Sequence, residues 1–163
     1  MSVHSQTGKD RRPEASPTVP EDFEVCRIPD GRFADAVGPL YVHRVEPARF
    51  GFLAGPVHGN VRETVHGGML MTLADQVLGL TVMQAVGLDT SVVTVSLHCD
   101  FVSVARPGDW IEGEASVTRA TKSLVFVRGT LHCGSATVLS AAGVWKKIRR
   151  PARDPSNSRE NEP

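Results

Sequence analysis

The stretch His66-Gly67-Gly68 and the run that follows it, Met69 to Val86 (MLMTLADQVLGLTVMQAV), decide how the rest of the chain is read. Met69, Leu70, Leu73, Val77, Leu80 and Met83 recur at helical spacing, and Gly87 stands where a left-handed residue ends a helix. From Asp89 the period becomes two, with Val93, Val95, Leu97, Cys99 and Phe101 on one face and Thr94, Ser96, His98 and Asp100 on the other. This predicts a long strand. Arg106-Pro107-Gly108-Asp109 turns into a strand over Trp110–Thr118, Ala120-Thr121-Lys122 into Ser123–Cys133, and Gly134-Ser135 into Ala136–Ile148. Short turns of this kind predict an antiparallel meander. Upstream, Leu40–Glu46 alternates, Pro47-Ala48 interrupts it, and Arg49–Ala54 forms a second short run, so the two can pair as a hairpin. Gly55–Val65 (GPVHGNVRETV) has no sustained period and reads as a loop. Two short strands, one long apolar helix and three or four long strands make an α+β domain with an antiparallel sheet wrapped around a central helix.

The chain has 163 residues, enough for one ordinary domain with its own core. Residues 1–22 and 149–163 mix charge with Ser, Thr, Asn and Pro and lack large apolar side chains, so both are expected to be disordered tails around a module at 23–148. Eighteen basic residues balance eighteen acidic ones. That balance gives no bulk positive field for nucleic acid or an anionic membrane. The apolar run Gly68–Leu88 approaches membrane-spanning length, but it contains Asp75, Gln76 and Gln84, and a central Asp costs about 2.5–3.5 kcal/mol on insertion scales. A buried helix is therefore expected, with no membrane partner. Cys26, Cys99 and Cys133 are odd in number and widely spaced, and no signal peptide precedes them, which fits a reducing, cytoplasmic setting.

Gly67 and Gly68 fall in the first turn of the helix, where backbone N–H groups lack intrahelical partners and the helix dipole is positive. Such an N–H can hold a carbonyl oxygen that gains charge during reaction. A glycine pair used only for close packing is the structural alternative. Asp75 has Thr72 and Leu78 three residues away and Met71 and Gly79 four away, with no basic residue on its face. An acid there suits a nucleophile or a base that activates water, unless a distant Arg62 or Arg106 pairs with it. His58 and His98 belong to no metal-ligand spacing, and neither a Gly-x-Ser-x-Gly elbow, a P-loop nor a dinucleotide fingerprint is present. Neither a metal nor an organic cofactor is expected.

Asn60, His66-Gly67-Gly68 and Leu73-Ala74-Asp75, with the later strand ends DFVSVARPGD and GVWKKI, closely resemble the hotdog-fold acyl-CoA thioesterases of the phenylacetate-pathway type. The resemblance spans Leu40 to Ile148. It implies a hydrolase that splits an acyl-CoA thioester into free acid and coenzyme A. It assigns the oxyanion to Gly67, supported by Gly68, and the attacking or activating carboxylate to Asp75. Asn60 would orient substrate or water, Thr94 would hold the lytic water, and His66 would position the first turn. For Asn60 an Asx turn in its own loop is the alternative, and for Thr94 a solvated strand position. Lys122, Arg106 and the run Lys146, Lys147, Arg149 and Arg150 are candidates for the coenzyme A phosphates. The rival readings are a hotdog hydratase or dehydratase, and a non-catalytic acyl-CoA-binding module.

Helix dimensions add a constraint of their own. Gly67 and Asp75 are eight residues apart, about 12 Å along one helix at roughly 1.5 Å per residue. An Asp side chain does not span that gap, so a carbonyl held at Gly67 must meet Asp75 from a second copy. The resemblance likewise implies homodimers joined sheet edge to sheet edge, and often homotetramers.

Overall fold

The computed structural model describes residues 18–27, 32–87 and 89–148; of the expected tails, residues 1–17 and 149–163 lie outside the described residues. Its elements are β1 (Phe23–Val25), α1 (Arg32–Val37), β2 (Tyr41–His43), β3 (Arg49–Leu53), α2 (Gly67–Val86), β4 (Ser91–Phe101), β5 (Trp110–Ala120), β6 (Leu124–Cys133) and β7 (Ala136–Ile148), with a 3₁₀ turn at Pro56–His58 inside the expected loop. All seven strands form one antiparallel sheet in the order β1-β2-β3-β5-β6-β7-β4. The α+β class and the sheet around one long helix are as the periodicity predicts.

Three details differ from the sequence reading. The meander holds for β5-β6-β7, but β4 pairs with β7 at the far edge rather than with β5. Residues 102–105 explain this, because they cross the end of the sheet before the Arg106–Asp109 turn: Val102 N–H donates to Val138 O (2.9 Å), and Ala105 O accepts from Val65 N–H (2.7 Å). The last residues of the compositional tail are tied in, with Asp22 O accepting from Arg44 N–H at 2.8 Å, since backbone bonds need no apolar side chain. β1 and α1 also arise in a stretch without a clear period. β1 is held partly by aromatic packing, Phe23 lying edge-on to Trp110 with centroids 5.0 Å apart.

α2 buries Leu70, Leu73, Ala74, Val77, Leu78, Thr81 and Val82 against the sheet. This stripe is turned from the one the largest side chains suggest: Ala74 and Thr81 go under the sheet, while Met83 is only half-buried. The sheet accepts the helix closely because Gly113 and Gly129 carry no side chain. A Cβ on Gly113 would come within 2.8 Å of Val77 Cγ2, and one on Gly129 within 2.5 Å of Glu114 O and 2.9 Å of Leu78 Cδ1. Gly87 ends the helix at φ 88°, its N–H bonded to Met83 O at 3.0 Å. α2 is long and apolar enough to cross a membrane, yet this packing makes it the centre of a folded core.

Gly129→Val is expected to lower unfolding stability by about 1–3 kcal/mol, because the Glu114 carbonyl can retreat only by parting β5 from β6, and Leu78 only by repacking between helix and sheet. The urea midpoint measures it, and an unchanged midpoint would show that the helix is not held at this distance.

Candidate active site

The N-terminus of α2 is shaped by His66. Its backbone is extended (φ −61°, ψ 134°), and its Nδ1 accepts from Gly68 N–H at 2.9 Å, capping the helix. As an acceptor, Nδ1 carries no proton in this geometry. Met69 N–H and Leu70 N–H both go to His66 O, at 2.9 and 3.2 Å. With those donors committed, the Gly67 N–H has no acceptor among the described residues. The aromatic ring of Phe101 lies over it, 3.3 Å from where a Gly67 Cβ would stand. Absence of a side chain is thus what lets this ring lie against the start of the helix. The structure divides the glycine pair: Gly68 is capped and Gly67 is the donor that stays open.

Asp75 lies farther along the same helix, on the flank that meets the edge strand β4, and is half-buried. Neither Arg62 nor Arg106 pairs with it. Its partner is Thr94, whose Oγ1 donates to Asp75 Oδ1 at 2.9 Å. The strand period places Thr94 on the polar face with His98 and Asp100, away from the apolar set. A bulge reverses that: Thr94 pairs with Trp145 and Ser96 with Val144, so Val95 is extra and the side-chain alternation shifts by one. Thr94 therefore turns toward α2, while Leu97 and Cys99 pack inward beyond the bulge. Burial pushes the Cys99 thiol above its ordinary range, and the Asp100 and Asp75 carboxylates add to that push.

Asn60 is occupied within its own loop. Its Oδ1 accepts from Arg62 N–H (2.8 Å) and its Nδ2 donates to Thr64 Oγ1 (3.0 Å), the Asx-type alternative, and Glu63 takes φ 57° to close the turn. His58 is likewise structural, accepting from Gly55 N–H at Nδ1 (2.8 Å) and meeting Val37 O from Nε2 (2.9 Å). Arg106 and Lys122 flank opposite ends of β5, whose eleven residues span more than about 30 Å. They cannot grip the same phosphate within one protomer. Arg106 lies at the Gly67 end of the molecule, beside the Val65–Ala105 link, and both side chains are exposed. Among the described residues, no three of His, Cys, Asp and Glu come together as a metal-ligand set.

The structure therefore unites Asp75 with Thr94, and His66 with Gly67 and Gly68, as two separate clusters along one helix. Strand periodicity alone does not single out Phe101 as the cover on Gly67, and the bulge has no signature in the pattern of apolar residues.

A helix of this length laid in an antiparallel sheet of this order is the hotdog fold. The chain belongs to the thioesterase superfamily: the family pattern matches residues 63–140, which hold both clusters. The Pseudomonas aeruginosa protein named "Putative esterase PA0474" is 41% identical over 130 residues, covering 78% of this chain and 96% of that one. Among solved structures, the protein BH2602 of Bacillus halodurans, determined with CoA, superposes with a TM-score of 0.59 at 25% identity, over 63% of this chain and 68% of that one. A mutant of the phenylacetic acid degradation protein PaaI of Thermus thermophilus superposes at 0.63 with 21% identity, over 71% and 98% of the two chains, and so shares the fold.

His66→Ala is expected to cost about 0.5–2 kcal/mol by removing the cap on Gly68 N–H. Denaturant unfolding reads this directly, and a stability equal to the parent chain would mean that the cap is idle.

Proposed function

We propose that this protein is an acyl-CoA thioesterase, hydrolysing a thioester to a free acid and coenzyme A with no metal or organic cofactor. One observation carries the reading: on the flank of α2 that meets β4 a carboxylate is oriented by the Thr94 hydroxyl at 2.9 Å, while the same helix offers an uncommitted N–H at Gly67. In the reaction, the thioester oxygen sits on the Gly67 N–H, at the positive helix end, as it gains negative charge. Thr94 holds Asp75 Oδ1 and leaves Oδ2 to act. Asp75 takes a proton from water as the hydroxide oxygen bonds to the carbonyl carbon. The tetrahedral intermediate then expels the thiolate, which receives that proton. Direct attack by Asp75, through an anhydride that water later cleaves, uses the same oxygen. The bound CoA of the Bacillus halodurans relative supports the choice of coenzyme A as the leaving group.

The acting unit is a homodimer, with pairs of dimers as the further assembly. The stripe of α2 that carries Asp75 (Gly68, Met71, Thr72, Asp75, Gln76 and Gly79) holds no basic residue, and Met71 on it is left exposed in the protomer. β4 is an eleven-residue edge strand with Val93 and Val95 exposed, a surface that soluble proteins normally cover. Antiparallel pairing of two β4 strands, centred near Leu97 and His98, would set Thr94 of one chain across from the partner subunit's Phe101. Asp75 then approaches the partner subunit's Gly67, closing the gap that one helix cannot bridge. A reducing, cytoplasmic setting belongs to the same proposal, since no disulfide joins Cys26, Cys99 or Cys133.

Asp75→Asn is expected to lower kcat by a factor on the order of 10² to 10⁴ while acyl-CoA binding persists, measured by free-thiol release and by calorimetry. Thr94→Ser should keep most of the activity and Thr94→Val should lose it, since only the first retains the donor to Asp75. Near-normal turnover by Asp75→Asn removes this carboxylate from the reaction. Co-refolding Asp75→Asn with Gly67→Val, each inactive alone, should restore one of the two sites in every mixed dimer. Folded mixed dimers with no activity would refute the shared site.

A further inference from the structure

A cavity of about 340 Å³ opens beside Asp75, lined by Phe33, Met71, Thr72, Asp75 and Gln76. Four of these residues stand on α2, and Phe33 alone comes from another element, α1. Met71 and Asp75 are four residues apart, so they share a helical face. The Thr72 hydroxyl is turned back onto Gly68 O at 3.0 Å and offers its proton to nothing in the cavity. Apart from the carboxylate and Gln76, the lining thus presents a ring and a thioether, and both residues are left substantially exposed in the protomer, Phe33 at 54% and Met71 at 40%. An aromatic and a methionine that flank a reactive carboxylate without filling a core are surface held ready for an apolar ligand. The volume falls near the low end of the roughly 300–1,000 Å³ of small-molecule sites.

We propose that Phe33 is a specificity-determining residue, its ring forming the wall that limits the length of the acyl group held against Asp75. This rests on the thioesterase reading and extends it to the substrate. The carbonyl carbon must lie next to Asp75 to react, so the chain attached to it runs into the cavity on the same face, between Met71 and α1. Met71 adapts to the shape of that chain, because its unbranched side chain repacks readily. Phe33 sets the limit, because its ring is the bulkiest group in the lining and the only one carried by a separate element.

The test is kcat/KM for straight-chain acyl-CoAs of increasing length, followed by free-thiol release, for the full chain and for Phe33→Ala, Phe33→Leu and Phe33→Trp. Phe33→Ala should raise the ratio of long-chain to short-chain kcat/KM by about tenfold or more, chiefly through KM, and Phe33→Trp should move it the other way. Phe33→Leu should fall between Phe33→Ala and the parent. An unchanged ratio in active variants, or a loss uniform across chain lengths, overturns the role of Phe33 and leaves the thioesterase reading intact. Failure of the parent protein to hydrolyse any acyl-CoA overturns the thioesterase reading, and this inference with it.

Discussion

Close contact between α2 and the sheet is the constraint on which the rest of the structure depends. The helix is apolar nearly all round, so it must be covered nearly all round. One side is met by β4 to β7, where Gly113 and Gly129 let Val77 and Leu78 come down to the backbone of the strands. A side chain at either glycine would lift the helix and unpack Leu73, Val77 and Leu78 together. Because the sheet is already satisfied on that side, the flank of α2 beside β4 is free to carry chemistry, and Asp75 is its one charged residue.

Chemistry is then distributed by two small departures from regular structure. At the helix start, His66 takes the Gly68 N–H and leaves the Gly67 N–H open under the ring of Phe101. On the edge strand, the extra residue at Val95 turns Thr94 inward to Asp75. Each device costs little: a cap satisfies an N–H that needed a partner anyway, and a bulge at an edge disturbs only one ladder. Together they leave the Gly67 N–H and the Asp75 carboxylate at two separate places on one helix, in a protomer whose long edge strand β4 is uncovered. In the reaction proposed above, a second copy would complete the site and cover that strand edge together.

Much of this was legible in the order of residues. Helical spacing from Met69, the period of two from Asp89, and glycine-marked turns determine element types and the α+β class, because periodicity records which side of an element is buried. Candidate residues were legible for a similar reason: Asp75 stands out as an acid with no basic neighbour on its helical face, and Gly67 as a glycine in a first turn. Asn60 was less legible, since an Asx turn and a substrate contact both call for the same side chain, and in the protomer its amide is bonded to Arg62 and Thr64.

What only the tertiary structure decided depends on contacts between residues distant in sequence. The placement of β4 beside β7 follows from hydrogen bonds made by residues 102–105 across the sheet end, which no local pattern encodes. Thr94 reaches Asp75 only because pairing with β7 accommodates an extra residue, so a strand read as strictly alternating assigns it to the wrong face. Phe33 and Phe101 acquire their positions from α1 bringing Phe33 to the cavity beside Asp75 and from β4 ending beside Gly67. Local periodicity specifies which faces are buried. The distances that decide chemistry, such as the 2.9 Å from Thr94 to Asp75, are set when separate elements pack, and a single chain's order of residues carries no direct record of them.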